Sequence, residues 1–252
     1  MSPQQTFKKY LENVMNLYGI IGAGGFGREV APLTRHDLPI LHGAETNFEV
    51  VFVVEDAYYT PQSPISGRRV LSMSQFLNAT ATARKYTIAI GNSKTRERIA
   101  NSIPRDLAQP FTVVAPNHVS LEDNSIGEGA ILCSFSHITS NAKIGRFFHA
   151  NIYSYVAHDC VIGDFVTFAP GVMCNGHVRI EDHAYIGSGV VIKDGTEKPI
   201  VIGRGAVVGM GAVVTKSVPP GAVVMGNPAR ARELHQSALG VAQLPALAPV
   251  NE

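Results

Sequence analysis

The residues best suited to chemistry in this sequence are a histidine and the aspartate that follows it, His158 and Asp159. An imidazole has a pKa near neutrality, so it accepts and returns protons at physiological pH. A carboxylate beside it orients the ring or favours its protonated form. Two interpretations of His158 are open: a general base, or an exposed polar residue on the wall of a repeat structure. The choice depends on the elements that position the pair.

An internal repeat with a period of six residues surrounds this pair, from Ile126 to Val218. Every sixth residue from Ile126 to Ile192 is apolar, in a chain that is 45% apolar. The residue four places later is small or β-branched, with Phe148 as the exception. A period of six fits the alternation of a strand and not the 3.6-residue period of a helix. The pattern therefore predicts short parallel strands stacked in coils.

Three such hexads make one triangular coil of eighteen residues, which predicts how distant residues stack. Gly176 follows His158 by one coil, so it should lie directly against it, where a glycine lets the backbone approach a ligand closely. The six-residue spacing is interrupted once, between Ile192 and Ile202. The extra residues around 193–199 should form a loop that projects from a corner. Glycines that follow the apolar position are expected at sharp corners: Gly127, Gly145, Gly163, Gly187, Gly203 and Gly209.

The repeat resembles the hexapeptide-repeat acyltransferases, whose fold is a left-handed parallel β-helix. The segment Val213 to Arg230, VVTKSVPPGAVVMGNPAR, is similar to the C-terminal signature of that superfamily. The left hand comes from this resemblance alone, because the general rule for parallel crossovers favours the right hand.

The N-terminal half predicts an α/β, Rossmann-like sheet. The glycine run Gly22 to Gly27, GAGGFG, lies between an apolar strand at 16–21 and a helical stretch from Arg28, which Pro32 should shorten or kink. Further strands are predicted at 48–54 and 86–90. Strand–loop–helix alternation indicates a parallel sheet with its ligand at the carboxyl ends of the strands. The candidate binding residues at that edge are Gly22, Gly24, Gly25, Phe26, Gly27, Glu55, Asp56, Asn92 and Ser93.

Three interpretations of that edge are open. A nicotinamide dinucleotide requires an acid about 20 residues after the glycines, and Glu55 and Asp56 lie further away. A nucleotide sugar would place its phosphates on the backbone N–H groups of the turn and its base or ribose on an acid. In the third interpretation the glycines make only a tight turn and the acids only end a strand.

Composition narrows the class of protein. The net charge of +1 gives no sign of nucleic acid or an anionic membrane as a partner. No apolar run has transmembrane length and the first residues do not form a signal-peptide pattern, so we expect a cytoplasmic protein without membrane insertion. Three cysteines, Cys133, Cys160 and Cys174, argue against a disulfide framework and are expected in the core.

The segment around the histidine, YVAHDCVIGD at 155–164, resembles the nucleotide-sugar acetyltransferases of the bacillosamine, perosamine and viosamine pathways, over roughly residues 16–230. The resemblance implies transfer of acetyl from acetyl-CoA to the C4 amine of a nucleotide-linked amino-dideoxy sugar. It makes His158 the general base, Asp159 its partner and Gly176 the oxyanion donor. Direct attack then needs neither a metal nor an acyl-enzyme.

The same resemblance implies a homotrimer whose active sites lie at the joints between subunits. It also implies a groove for acetyl-CoA, with the adenine end near the turn at 227–230; the residues concerned are Gly187, Ser188, Gly209, Met210, Pro228 and Arg230. Two positions depart from the family pattern. Thr167 stands where some members carry a second histidine, and Phe26 replaces a histidine in the glycine turn.

We therefore predict an N-terminal extension at 1–15, a Rossmann-like nucleotide-sugar domain at 16–110, a left-handed β-helix at 111–230 and a C-terminal cap and tail at 231–252. The sheet domain should cover one end of the coil stack. Three other functions are open: a sialic acid-type O-acetyltransferase, a non-catalytic nucleotide-sugar scaffold, and a zinc enzyme of the carbonic anhydrase type. The last needs three converging histidines, a spacing that is not evident among His149, His158, His177 and His183.

Overall fold

The computed structural model describes residues 15–42 and 48–231, with the side chains of residues 35–42 left out of the description. The predicted N-terminal extension lies outside the described residues except for Met15. The predicted C-terminal cap and tail lies outside them except for Ala231.

The N-terminal part is a five-stranded parallel sheet with strand order β3-β2-β1-β4-β5. Its strands are β1 Asn16–Ile21, β2 Phe48–Val54, β3 Val70–Ser72, β4 Arg84–Ile88 and β5 Gln109–Pro110. The central strands are apolar and buried, as a parallel sheet with covered faces requires. The strand order reverses between β1 and β4, because β2 and β3 lie on one side of β1 while β4 and β5 lie on the other. The crevice for a ligand therefore opens at the carboxyl ends of β1 and β4. The predicted α/β sheet is confirmed.

Among the residues described, three helices and one 3₁₀ turn connect these strands: α1 Gly25–His42, the turn Asp56–Tyr58, α2 Met73–Asn78 and α3 Ser93–Ser102. The prediction that Pro32 shortens α1 is wrong, because the helix continues to His42. Pro32 lacks the N–H that would bond the carbonyl of Arg28. Pro32 is exposed, so water can satisfy that carbonyl.

The second part is a β-helix whose two- and three-residue strands form three parallel faces. Face 1 contains β6, β9, β12, β15, β18, β21 and β23 with antiparallel β24; face 2 contains β7, β10, β13, β16, β19 and β22; face 3 contains β8, β11, β14, β17 and β20. The strands are β6 Val113–Val114, β7 Val119–Ser120, β8 Ser125–Ile126, β9 Ile131–Leu132, β10 His137–Ile138, β11 Lys143–Ile144, β12 His149–Ala150, β13 Tyr155–Val156, β14 Val161–Ile162, β15 Thr167–Phe168, β16 Met173–Cys174, β17 Val178–Ile180, β18 Tyr185–Ile186, β19 Val191–Ile192, β20 Ile200–Ile202, β21 Val207–Val208, β22 Val213–Val214, β23 Val223–Met225 and β24 Arg230–Ala231.

The core of the β-helix is the stack of sixth residues that the sequence predicts. Residues from Leu132 to Ile192 at this spacing are buried, and Ile126 packs partly buried against them. The small or β-branched positions four residues later are buried as well. Phe148, the exception, fits because its ring meets Phe168 edge to face at 5.1 Å. Apolar burial in every coil is what holds the stack together.

The glycines after the apolar positions come directly after the strands, at the corners, and the left-handed residue of each corner lies two places further along the chain. At the corner after β14 the left-handed residue is Phe165, with φ of 58°, two places after Gly163. Gly163 is needed for a different reason: a Cβ there would lie 2.6 Å from the backbone nitrogen of Asp182. A side chain at that position would push neighbouring coils apart.

The N-terminal sheet packs along face 1 and the corner between faces 3 and 1, so the prediction that it covers one end of the stack is wrong. Val113, Ile131 and Cys133, on face 1, share a buried cluster with Val30 of α1 and the sheet. Phe147 and Phe165, at the corner, join the cluster of the sheet's other face. Outward positions of successive coils are therefore apolar because another domain covers them.

The break in the repeat forms a loop, as predicted. Strand β20 pairs with β17 in a register that aligns Ile200 with Val178, instead of the usual eighteen-residue offset. The residues between β19 and β20, which we call the insertion loop (193–199), leave the stack at the corner between faces 2 and 3. Within the described residues, no helix is both long and apolar enough to span a membrane.

Candidate active site

Four side chains meet at the corner between faces 2 and 3, which we call the histidine corner. His158 and Asp159 follow β13, His177 follows β16 one coil later, and Asp194 comes from the insertion loop after β19. Asp159 and His177 each have a φ of 59°. Aspartate and histidine tolerate this left-handed conformation better than most residues do. The turn geometry therefore presents these side chains outward, one above the other.

His158 and Asp159 form an imidazole–carboxylate pair. Asp159 Oδ2 lies 2.8 Å from His158 Nδ1, and the amide of Asn141 donates to the other carboxylate oxygen at 2.6 Å. The hydrogen bond to Asp159 raises the pKa of His158. The neutral tautomer assigned by this bond carries its proton on Nδ1 and leaves Nε2 as an acceptor. The side chain of His158 is 53% exposed, so a substrate can reach it.

Gly176 lies against the ring of His158, as the eighteen-residue spacing predicts. A Cβ at this position would lie 2.5 Å from His158 Cε1 and 2.8 Å from Asp194 Oδ2. Only glycine leaves both side chains where they are. Within residues 15–42 and 48–231, the Gly176 N–H donates to no other group. It is a hydrogen-bond donor available beside the ring.

His177 and its loop partners are residues that sequence reasoning missed. His177 Nε2 lies 3.5 Å from Asp159 Oδ2, and its Nδ1 lies 3.0 Å from Thr196 Oγ1. Asp194 Oδ2 lies 3.8 Å from the same Nδ1. The sequence did contain a signal for this loop. The six-residue repeat is interrupted directly after β19, and β19 pairs with β16, the strand that precedes Gly176. An insertion at that point must emerge beside the histidine.

The same cluster has the composition of a metal site, but we assign no metal to it. Ligand atoms of His158, His177 and Asp194 lie within 4.8 Å of one another. Asp159 and Thr196 already engage one nitrogen of each ring. The expectation that the reaction uses no metal stays a prediction.

The glycine run after β1 divides into structural and open positions. Gly22 has a φ of 108°, and a Cβ on Gly27 would lie 1.9 Å from the Gly22 oxygen, so these two make the turn itself. Gly24 and Gly25 have open space where a Cβ would stand. Phe26 turns toward the β-helix, with its ring 5.1 Å from that of His149. The positions available to a ligand are therefore Gly24 and Gly25.

The two acids after β2 already have partners in the chain. Glu55 forms a two-bond ion pair with Arg98 of α3 at 2.7 and 2.9 Å. Asp56 accepts from the backbone and hydroxyl of Ser74. The pKa of Asp56 is lowered by hydrogen bonding from Ser72 and then from Ser74. Asn92 caps α3 through the N–H of Thr95 at 2.9 Å. The structure brings these residues to one edge, where they also hold the fold.

A cavity of about 460 Å³ opens between this edge and face 1. The N-terminal sheet contributes the start of α3, including Asn92 and Ser93, and the β-helix contributes Thr167, His183 and Tyr185. The Nδ1 atom of His183 is buried and has no partner within the described residues. Polar groups on both walls suit a polar ligand such as a sugar or a phosphate.

A buried polar seam attaches the sheet to face 1, and no pattern in the sequence indicated it. Arg96 of α3 is fully buried and donates to the carbonyls of Ile90 at 2.7 Å and Phe165 at 2.6 Å and to Thr167 at 3.0 Å. Burial lowers the pKa of Arg96 to about 9. His149 Nε2 donates to the carbonyl of Ile88 at 2.9 Å. Burial, reinforced by the charge of Arg96, holds the pKa of His149 well below its usual range.

The residues predicted to bind acetyl-CoA lie away from His158 in the same chain. Gly187, Ser188, Gly209 and Met210 follow strands of face 1, at the corner between faces 1 and 2. A Cβ on Gly187 would lie 2.7 Å from the Met210 nitrogen, so Gly187 also serves close packing of the coils. Met210 is 80% exposed. Pro228 follows a cis peptide bond and Arg230 is exposed in β24.

Comparisons with known proteins agree with this architecture. Residues 19–103 match the PglD N-terminal domain and residues 177–216 match the hexapeptide repeat of succinyl-transferase. The GDP-perosamine N-acetyltransferase of Escherichia coli O157:H7 is 51% identical over 217 residues, which cover 86% of this chain and 96% of that protein.

Two solved structures share the fold over most of the chain. WeeI from Acinetobacter baumannii AYE has a TM-score of 0.79 and 52% identity, covering 86% of this chain and 100% of that one. The acetyltransferase domain of PglB from Neisseria gonorrhoeae FA1090, solved with acetyl coenzyme A, has a TM-score of 0.74 and 26% identity, covering 87% and 100%. The chain is thus an acyltransferase with a left-handed β-helix, and it belongs to the nucleotide-sugar N-acetyltransferases that join a PglD-type N-terminal domain to hexapeptide repeats.

Proposed function

We propose that this enzyme transfers the acetyl group of acetyl-CoA to the C4 amine of a nucleotide-linked amino-dideoxy sugar, with His158 as the general base. The observation that carries the proposal is the oriented imidazole beside an unused N–H: His158 Nδ1 is held by Asp159 at 2.8 Å and Gly176 lies against the ring. The same arrangement suits proton removal and oxyanion binding at one carbonyl carbon.

The reaction is a direct attack. The amine nitrogen forms a bond to the thioester carbon while His158 Nε2 takes a proton from it. The Gly176 N–H donates to the oxygen as negative charge develops there. The carbon–sulfur bond then breaks, its electron pair leaves with sulfur, and His158 returns the proton to the CoA thiolate. Asp159 stabilises the imidazolium between these two steps.

Two similarities support the choice of substrates. The Escherichia coli relative is named for a GDP-linked amino sugar, and the Neisseria structure holds acetyl coenzyme A. We assign the nucleotide to the sheet domain at 16–110, with Gly24 and Gly25 open to its phosphates and the sugar in the cavity beside Asn92 and Ser93. We assign acetyl-CoA to the β-helix at 111–230.

The placement of these parts supports a homotrimer with shared active sites. The sheet domain packs on face 1, whereas His158 stands at the corner opposite that face. A nucleotide sugar held by one chain therefore points away from its own base. A closed ring of three copies brings the histidine corner of one chain to the cavity of the next, beside the groove that begins at Gly187.

The substrate assignment is tested by acetyl transfer itself. Purified enzyme is mixed with acetyl-CoA and with UDP-, dTDP- or GDP-linked 4-amino sugars, and the acetylated sugar is measured by mass spectrometry. We expect an N-acetylated product with one of the three. The matching 4-hydroxy sugars and a sialic acid serve as controls for O-acetylation. Product only with a hydroxyl acceptor would contradict the proposal, and so would binding of nucleotide sugar without any transfer.

A further inference from the structure

His177 is a second imidazole at the histidine corner, and the reaction above gives it no role. Its ring centroid lies 5.0 Å from that of His158, with the two planes at 83°. Asp159 Oδ2 lies 2.8 Å from His158 Nδ1 and 3.5 Å from His177 Nε2. One carboxylate oxygen therefore faces both rings.

The insertion loop supplies the other partners of His177. Thr196 Oγ1 lies 3.0 Å from His177 Nδ1, and the Thr196 N–H donates to Asp194 Oδ1 at 2.7 Å. Asp194 Oδ2 lies 3.8 Å from the same ring nitrogen, where a carboxylate stabilises an imidazolium. The His177 side chain is 40% exposed, so a proton held there can pass to water.

The acceptor amine carries more protons than one base removes at a time. An amine flanked by electron-withdrawing oxygen substituents titrates in the range of an α-amino group, about 7.7 to 8.0, so at neutral pH it arrives mostly as an ammonium ion. It must lose one proton before it can attack and a second as the carbon–nitrogen bond forms. A single imidazole that keeps the first proton is unable to take the second.

We propose that His177 takes the first of these protons from His158, so that His158 is neutral again when the amine attacks. This inference rests on the proposed function. One ring nitrogen of His158, one ring nitrogen of His177 and one carboxylate oxygen of Asp194 lie within 4.8 Å of one another. One water molecule spans such a gap with two hydrogen bonds of about 2.8 Å each.

The protons balance over the whole sequence. The ammonium gives one proton to His158 Nε2, the imidazolium passes a proton through water to His177, and His177 releases it to solvent. The nitrogen lone pair then forms the bond to carbon, and His158 takes the second proton. That proton leaves with the CoA sulfur when the carbon–sulfur bond breaks. His177 thus acts through His158 and is a relay residue.

The carboxylates around His177 offset the positive charge that the ring carries while it holds the proton. Asp159 faces the ring from the coil below and Asp194 from the loop above. Lys193 and Glu197 of the same loop pair with each other at 3.9 Å. Among the described residues, His158 is the remaining titratable group in contact with the ring. Two carboxylates therefore offset the positive charge that His177 gains.

The relay is tested by the pH profile of His177→Asn. We expect kcat/KM to fall about tenfold at pH 6.5, where the amine is protonated, and less than about twofold at pH 9, where it is neutral. The KM values for both substrates should stay the same, and added imidazole should restore the rate at pH 6.5. His137→Asn, at an exposed position of face 2, should match the parent enzyme. A loss that is equal at all pH values, or no loss, would overturn the relay.

NMR titration of the ring nitrogens tests the coupling without turnover. Removing His177 should raise the apparent pKa of His158, because a neighbouring positive charge is lost. An unchanged His158 titration in His177→Asn would also overturn the relay. A parent enzyme that binds both substrates and transfers nothing would contradict the proposed function instead, and the NMR result would still decide whether the rings are coupled.

Discussion

Two pairs of histidines on the β-helix share a residue type and little else. His149 and His183 project from face 1 and the corner beside it and are buried under the sheet domain, whereas His158 and His177 stand exposed at the opposite corner. Burial holds the pKa of His149 well below its usual range, while the bond to Asp159 raises that of His158. His149 is thus a neutral packing group, whereas His158 is the ring that we propose as the proton acceptor.

The difference comes from what covers each side of the prism. In the buried seam, the guanidinium of Arg96 is surrounded by uncharged partners, which are backbone carbonyls and the Thr167 hydroxyl. Within the part of the chain described here, no carboxylate forms an ion pair with Arg96. The exposed corner instead pairs each ring with a carboxylate. Solvent access beside a carboxylate favours proton transfer. Burial under the sheet domain favours a fixed neutral ring, and it lowers the pKa of His183 although Glu97 Oε2 lies 3.4 Å from its Nε2.

The largest expected effect separates the two histidines directly. His158→Asn should lower kcat by about 10²- to 10⁴-fold, the usual contribution of a general base, and leave the unfolding temperature unchanged because the side chain is exposed. His149→Asn should lower the unfolding temperature and leave kcat unchanged, since it removes the bond to Ile88 and leaves a void at the seam. Steady-state kinetics and thermal unfolding of both variants provide the check. Full activity in His158→Asn would refute the base.

Gly176→Ala should lower kcat by about 10²-fold, because its Cβ would meet the ring of His158 at 2.5 Å and displace it. Stability should change little, since the colliding atoms are ends of exposed side chains. In the His158→Asn background the same substitution should cost almost nothing more, as expected for groups that act as a unit. Additive losses would show that Gly176 acts elsewhere.

Arg96→Met should destabilise the fold by about 2 to 4 kcal/mol, because the carbonyls of Ile90, Gly91 and Phe165 lose this donor. Arg98→Met, on the exposed side of the same helix, is the matched control and should cost less than about 1 kcal/mol although it breaks the pair with Glu55. Urea unfolding of both variants measures the difference. Equal losses would contradict the assignment of the seam as an attachment between the two domains.

Lowering the pH should reduce kcat/KM through His158 and stability through His149, and these are the smallest effects that we expect near neutral pH. The base works when neutral, so kcat/KM should fall as pH drops through the pKa of His158, at a midpoint above about 6.5, and Asp159→Asn should move that midpoint down. His149 has a depressed pKa in the folded state, so its contribution to stability is complete above about pH 6.5 and is lost below it, where only the unfolded chain binds the proton. The pH dependence of unfolding in His149→Asn should be correspondingly shallower.

The sequence was sufficient to predict the features that depend on residues repeated at a fixed spacing. The six-residue period identified the buried positions, and the eighteen-residue coil placed Gly176 against His158. The phase break located the insertion loop. These predictions succeed because each coil packs only on its neighbours, so local periodicity determines the contacts.

The sequence was insufficient wherever contacts join distant segments. Outward positions on the three faces look alike in the repeat, so nothing indicated that the sheet would cover face 1. The acids after β2 appeared available to a ligand, yet Glu55 is paired with Arg98 and Asp56 with Ser74. These partners lie far apart in the chain and carry no shared period. Their pairing depends on how the domains dock.

The most direct test of the shared site is complementation between two inactive variants. His158→Asn lacks the base, and Gly24→Asp, whose side chain has open space, places a carboxylate where the phosphates of the nucleotide should bind. Each variant alone should be inactive. Co-expression that assembles the two chains at random should recover about a quarter of the parental activity, because one site in four then combines an intact base from one chain with an intact sheet domain from its neighbour. No recovery in mixed trimers would show that each chain completes its own site.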